Sequence, residues 1–345
     1  MPKQAKFLVL ERGGTGRTGR RLPAARFEGE STAMFMFENR ITIEDRQILE
    51  KYLGSYEYRA SGLSFTSLYM WRDVNGFSWK QIGDYLCIAG VSQFQDEVLE
   101  PFLLPPLTAA GVYEPESLRE TILEAKRLFE EAGYIFSLRL LPFHMVDCLR
   151  AAFPTELKII ADRPNYDYVY LTKDLINLAG RAYHAKKNHL NYFKNHYRYE
   201  YVHLTEEMVP QAKEFIREFN RRKGLTGYEG ELLLMEQQAM EDVFEHLEEI
   251  GYLAGAILID GNIEALAIGG RLGKKTVTVH VEKANTEIRG LYQAINNEFC
   301  KQVSDKIKYI NREEDMGMEG LRKAKLSYNP VKMVEKYIAI FKEDL

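Results

Sequence analysis

Near the end of the chain, Asn311, Arg312, Glu313, Glu314, Asp315, Met316 and Gly317 set three carboxylates, a guanidinium and a carboxamide directly behind the short apolar run at 308–311. If that run is a buried strand, the polar cluster lies at its carboxyl end, where open α/β sheets bind ligands. A carboxylate there could take a proton from an attacking amine or hydroxyl. Arg312 could offset charge developing on a carbonyl oxygen or hold a phosphate. Glu313, Asp315 and Arg312 are therefore the candidate catalytic residues. The alternative is a charged loop closed by its own ion pairs.

A second chemistry-bearing stretch is Asn285, Thr286, Glu287, Ile288, Arg289 and Gly290, ahead of a helix whose first N–H groups lack intrahelical partners. Arg289 supplies charge, and Gly290 permits close backbone approach to a pyrophosphate. The stretch lacks the full R-x-x-G-x-G/A run of a CoA-binding loop, and a turn carrying a solvated arginine is the competing reading. With Gln293 on the following helix, Asn311 at the strand end, and Arg322 and Lys325 on one face of a further helix, these residues form the candidate donor and phosphate set.

A third feature is basic. His184, Lys187, Asn188, Asn191, Lys194 and Arg198 recur along a predicted helix and offer a row for phosphates, with Tyr192 and Phe193 placed to stack on bases. A solvated face would look the same. His184, His189 and His196 do not form a metal set, since 184 and 189 are about 140° apart on a helix and no carboxylate or cysteine joins them. No metal is expected, and no nucleophilic serine or cysteine motif is present. His280 beside Glu282 reads as a base with its orienting partner on one strand face, or as a cross-strand pair. Trp71, Arg72 and Trp79 read as packing around a cleft.

The elements that must position these groups follow from periodicity. Segments 252–259, 263–271 and 276–282, joined by tight turns, predict a meander in which Val277, Val279 and Val281 face one way and Thr278, His280 and Glu282 the other. The helix beginning near Leu291 and the strand at 308–311 then predict a parallel crossover. The first half shows the same order, with a hairpin at 77–89, an extended piece at 101–107, a helix at 116–132 and a strand at 134–141. A structural duplication is expected. Further helices are predicted from Thr42 to about residue 52, over 64–72, as one long basic helix over 173–197, over 208–219 and over 232–247, with a mobile flap at 221–230.

The 345 residues, 46% hydrophobic and 28% charged, predict two folded units, each with its own core. We divide the chain into a basic Gly- and Arg-rich tail at 1–35, a unit at 36–164 and a unit at 165–345. The tail could also be a basic arm. A net charge of −4 argues against coating DNA through the overall field. Cys87, Cys148 and Cys300 form no CxxC pair, so no disulfide framework is expected. No apolar run approaches the roughly 18–20 residues of a membrane span, so the expectation is a cytoplasmic protein with at most peripheral membrane contact.

Four blocks resemble the phosphatidylglycerol lysyltransferase C-terminal-domain family: Phe65-Thr66-Ser67-Leu68-Tyr69-Met70-Trp71-Arg72; Tyr166-Asp167-Tyr168-Val169-Tyr170-Leu171; His184-Ala185-Lys186-Lys187-Asn188-His189-Leu190; and Ile310-Asn311-Arg312-Glu313-Glu314-Asp315-Met316-Gly317 with Leu321-Arg322-Lys323-Ala324-Lys325-Leu326. The resemblance runs over about residues 37–341. It implies an α/β protein of mixed sheets, built as two tandem GNAT-like acyltransferase domains, with no covalently bound cofactor. It implies aminoacyl-tRNA as donor, with acyl-CoA as the alternative. The acceptor stays open among a small molecule, a peptide and a lipid. From a different class, a noncatalytic module binding a nucleotide or lipid head group is also open.

Overall fold

The computed structural model describes residues 35–55, 60–93 and 99–345, so the Gly- and Arg-rich stretch at 1–33 lies outside the described residues. The first half runs β1 (Asn39–Arg40), α1 (Arg46–Leu53), α2 (Phe65–Met70), β2 (Ser78–Ile82), β3 (Tyr85–Gln93), β4 (Leu99–Leu103), β5 (Leu107–Thr108), α3 (Pro115–Glu131), β6 (Ser137–Pro142), α4 (Phe143–Ala152) and β7 (Leu157–Ala161). The second runs β8 (Asp167–Leu171), α5 (Thr172–Asn177), α6 (His184–His196), β9 (Glu200–His203), α7 (Val209–Lys223), α8 (Gly227–Glu245), α9 (Leu247–Ile250), β10 (Leu253–Ile259), β11 (Asn262–Leu272), β12 (Thr276–Ala284), α10 (Leu291–Gln302), β13 (Tyr309–Asn311), α11 (Glu319–Leu326), β14 (Lys332–Val334) and β15 (Lys336–Phe341).

The two sheets repeat one another strand for strand. One is ordered β1-β2-β3-β4-β6-β15-β7, with β5 also on β3, and the other β9-β10-β11-β12-β13-β8-β14. Among the described residues, the only parallel pair in each is the one bridged by a crossover helix, β4 with β6 and β12 with β13. The duplication expected from element order is thus present as a tandem pair of mixed sheets. The strand beside each crossover strand comes from elsewhere in the chain: β8 pairs with β13, and β15, the last strand, pairs with both β6 and β7. A cut at 164/165 assigns β15 to the second unit, whereas its hydrogen bonds lie in the first sheet.

Two cores were expected, and among the described residues three hydrophobic clusters form, because each sheet has two faces to cover. Residues of α3 and α4 cover one face of the first sheet, where Phe129 of α3 shares a cluster with Leu138 of β6 and Phe341 of β15. Residues of α5, α6 and α10 cover one face of the second, where Leu175, Phe193 and Ile295 share a cluster with Val277 and Val279 of β12. The third cluster joins the halves. Leu68 and Met70 of α2 and Ile88 of β3 share it with Ile216 of α7, Phe244 of α8, and Ile268 and Val281 of the second sheet. The shared core holds the halves together.

The long basic helix breaks. α5 ends at Leu178, which is left-handed at φ 45°, Gly180 follows at φ 86°, and α6 starts only at His184. The break turns Leu178 and Tyr183 into the core. The flap is also replaced: α7 runs on to Lys223 and α8 starts at Gly227, and Arg217 grips Glu241 across them with Nε to Oε1 at 3.0 Å and Nη2 to Oε2 at 2.7 Å. Thr42 does not open α1. Its N–H and hydroxyl both donate to Asp45 Oδ2, and the helix begins at Arg46. Among the described residues no helix is long and apolar enough to cross a membrane.

Candidate active site

β12 and β13 stay paired for three positions only, from Thr276↔Tyr309 to Thr278↔Asn311. Beyond them β12 continues to Ala284 on β11 alone, while the chain after Asn311 follows β8, with Arg312 N–H donating to the Tyr168 carbonyl and Tyr168 N–H to that of Glu313. The two strands part, and backbone groups on one edge of β12 are left without a strand partner.

A β-bulge lies at the same level. Ile268 pairs with Val281 and Gly269 with Val279, so His280 is the extra residue on β12. A bulge re-aims side chains. Val277 and Val279 accordingly enter the second-sheet core but Val281 enters the shared core. His280 faces the first half, where its Nε2 lies 3.1 Å from Thr66 Oγ1, whereas Glu282 faces α10 and accepts from Asn296 Nδ2 at 2.9 Å. The expected pairing of His280 with Glu282 is therefore corrected. A regular alternation puts them together, and the bulge sends them to opposite faces.

Both instead reach across the parting strands. His280 Nδ1 lies 2.9 Å from Glu313 Oε1, and Arg312 Nη2 donates to Glu282 Oε1 at 3.0 Å. The His280 side chain has no exposure and that of Glu313 retains 16%, so Glu313 is the end that solvent or substrate can reach. The guanidinium of Arg312 sits 4.8 Å over the Tyr328 ring, and its buried Nη1 has no hydrogen-bond partner among the described residues. Lys186 of α6 lies over the same ring at 4.4 Å, and Lys325 donates to the Arg312 carbonyl, with Gln293 near the Tyr328 hydroxyl. Burial depresses the pKa of both Lys186 and Lys325, and neither makes an ion pair among the described residues. Three cations with one contacting carboxylate make this flank of the cleft receptive to an anion.

Glu313 is held in a left-handed conformation, φ 55°. Asn311 Oδ1 accepts its N–H at 2.8 Å, and Asn311 Nδ2 donates to Asp167 Oδ2 at 2.9 Å. Asp167, fully buried, also takes the N–H and hydroxyl of Ser61 from the first half and pairs with Lys336 of β15 at 2.6 Å. Asn311 thus ties the Glu313 backbone to the buried Asp167 carboxylate.

Asp315 is turned inward and its carboxylate is taken up by the protein's own donors. It is fully buried, and Tyr168 OH, Arg163 Nη1, Arg322 Nε and Nη2, and the Gly317 N–H all donate to it. Burial alone would raise its pKa, but the bonds from Arg322, Tyr168 and Gly317 bring it down to about 2. Arg322 is committed to the same carboxylate. A group depressed in the folded state stabilises above its unfolded pKa and loses that contribution as pH falls through its folded one. Asp315→Asn should therefore lower stability by about 1–3 kcal/mol at neutral pH. In melts taken from pH 7 downward, the gap to the unsubstituted protein should close between about pH 4 and pH 2.

The donor loop and the basic helix form one surface. Arg289 lies 4.3 Å over the Tyr192 ring, which stacks on His196 at 3.9 Å. Gly290 is pressed against α6, where an added Cβ would overlap the His189 carbonyl oxygen. That close approach explains the glycine through helix packing, without a pyrophosphate. His184, Lys187, Asn188 and Asn191 are exposed on α6, while Lys194 pairs with Glu298 at 3.1 Å and Arg198 lies beyond the helix end. Through Lys186 at one point and Tyr192 at another, α6 joins the cleft to the loop.

Sequence reasoning missed Thr66, Asp167 and Lys336 as parts of this site. Gly269-Gly270 inside a strand pattern was the available signal, since paired glycines there mark a bulge or a close approach. Nothing local marks Asp167 or Lys336, which meet only through the fold.

The chain matches the family model described as phosphatidylglycerol lysyltransferase, C-terminal, over residues 54–340. Among solved structures it is similar to a conserved protein of unknown function from Bacteroides thetaiotaomicron, at 31% identity and a TM-score of 0.79 over 88% of this chain and 99% of that one. It shares its fold with L-PGS from Bacillus licheniformis, at 12% identity and a TM-score of 0.59 over 88% and 92% of the two chains. It does so too with FemX, at 9% identity and 0.58 over 87% and 96%. The shared fold is a tandem pair of mixed α/β sheets, each with one crossover helix between parallel strands. The chain spans about half the length of a curated relative, an uncharacterized protein of Mycoplasmoides gallisepticum, 23% identical over 177 residues that make up 50% of this chain and 55% of that protein.

Proposed function

We propose that this chain, which belongs to the phosphatidylglycerol lysyltransferase C-terminal family, is an aminoacyltransferase that takes its acyl group from aminoacyl-tRNA. The carrying observation is the cleft between β12 and β13, with the Glu313 carboxylate at its mouth and Arg312, Lys186 and Lys325 on one flank. The aminoacyl ester lies between the parted strands, where a backbone N–H of β12 receives the carbonyl oxygen. An acceptor amine or hydroxyl attacks the carbonyl carbon and gives its proton to Glu313. The new C–N or C–O bond forms, the bond to the ribose oxygen breaks, and Glu313 returns the proton to that oxygen. The cationic flank receives a phosphate near the ester, and the Arg289, Tyr192 and α6 surface carries the tRNA further out. The substrates that name other family members are not needed for this chemistry, so the acceptor is a lipid, a peptide or a small amine.

The test is an assay with tRNA charged with labelled amino acids, offered phosphatidylglycerol vesicles, free amino acids and short peptides as acceptors. Label should pass from tRNA to one of these, with no thiol released from acetyl-CoA. Release of thiol from acetyl-CoA, with label left on tRNA at the spontaneous rate, would overturn the donor assignment in favour of acyl-CoA.

A further inference from the structure

The first half touches the proposed base from behind. α2 opens at Ser64, whose hydroxyl caps it by accepting the Ser67 N–H, and Thr66 in its first turn sets its hydroxyl 3.2 Å from Ser64 Oγ and 3.1 Å from His280 Nε2. The Tyr252 hydroxyl donates to the Thr66 carbonyl at 2.6 Å, and its ring meets the imidazole edge-on with centroids 6.1 Å apart. On the other side, Gly270 of β11 makes the approach possible, since a Cβ there would overlap the Thr66 side chain. Thr66, His280 and Glu313 therefore form one line from the first half, through β12, to the mouth of the cleft.

A hydroxyl, an imidazole and a carboxylate in line are the parts of a nucleophilic triad. Here the exposure runs the other way. Thr66 is buried, His280 has no exposed side-chain surface, and the carboxylate is the end that emerges. The hydroxyl cannot meet a substrate carbonyl, so the line works toward Glu313.

Proton counting gives its direction. An ionised Glu313 can only accept, so Nδ1 of His280 carries the hydrogen. In a neutral ring Nε2 is then bare and can only accept, so the single Thr66 hydroxyl proton goes to it. We propose that Thr66 is a positioning residue that fixes His280 as the Nδ1–H tautomer, so that His280 holds one oxygen of Glu313 and leaves the other facing the acceptor. This rests on Glu313 as the base, and it gives the first half a part in the reaction that sheet packing alone would not.

Two measurements test it. In protein labelled with 15N-histidine, the His280 ring, identified by the signals lost in His280→Gln, should show a protonated Nδ1 and a bare Nε2. An Nε2–H tautomer or a doubly protonated ring at neutral pH overturns the proposal, and this readout needs neither a Thr66 variant nor any transfer activity. In the transfer assay, Thr66→Val should lower kcat about 5- to 100-fold, the effect of stranding one buried acceptor, with KM for charged tRNA changed less than about twofold. Thr66→Ser, which keeps the hydroxyl, should restore kcat to within about threefold. If Thr66→Val keeps full kcat, Thr66 is only a packing residue even though Glu313 remains the base. If Glu313→Gln keeps full activity, the base assignment falls, and the His280 spectrum still decides the hydrogen-bond order.

Discussion

Glu313→Gln should lower the single-turnover rate of acyl transfer by about 10²- to 10⁴-fold, the range expected for removing the proposed general base. The substitution suits the question because the amide matches the carboxylate in shape and its oxygen can still accept from His280 Nδ1, now at 2.9 Å. The Glu313 N–H keeps its bond to Asn311 Oδ1, so the left-handed turn at φ 55° is retained. What is lost is the capacity to take a proton. The melting temperature should therefore stay close to that of the unsubstituted protein while the rate at saturating donor collapses. A rate within about threefold of the original would move the base elsewhere, to solvent or to a group on the substrate.

The cleft was legible in the sequence as far as its order and no further. Strand, turn, helix and strand over 276–311 sufficed to predict a parallel crossover with a polar cluster at its open end, because the apolar repeats of β12 and α10 are strong and local. What side chains do around that opening was not legible. Strict alternation put His280 with Glu282, and one extra residue opposite Gly269 reversed it. Glu313 and Asp315 looked interchangeable, yet one reaches the surface and the other is sealed by two arginines, a tyrosine and a backbone N–H. The difference comes from Arg163, 152 positions away from Asp315, and from Arg322. The same limit hid β15, whose six residues read as an ordinary strand without saying which sheet it completes.

Lys336→Met should lower the unfolding free energy by about 3–5 kcal/mol, the loss expected when one partner of a buried ion pair is removed and the other stays. Lys336 is 2% exposed and Asp167 not at all, with 2.6 Å between Nζ and Oδ1. Burial opposes the ammonium, but Asp167 and Glu314 outweigh it and hold its pKa above the usual lysine range, so Lys336 stays charged. Lys336 belongs to the first sheet and Asp167 to the second, so the pair fastens the two units at the strands they receive from distant chain. Without the cation, the Asp167 carboxylate remains buried with Ser61 and Asn311 as its donors among the described residues. Urea titrations of Lys336→Met, Asp167→Asn and the double variant would measure the coupling. The double variant should be more stable than either single change predicts by addition, because no uncompensated charge is left inside. Activity should divide Lys336→Met from a further variant, Asp167→Ala. Lys336→Met leaves Asp167 to anchor Asn311, and through it Glu313, so its kcat at a temperature where it is folded should hold. Asp167→Ala removes that anchor and should lose stability and rate together. Equal stability of Lys336→Met and the unsubstituted protein would mean that the shared hydrophobic core alone fastens the halves.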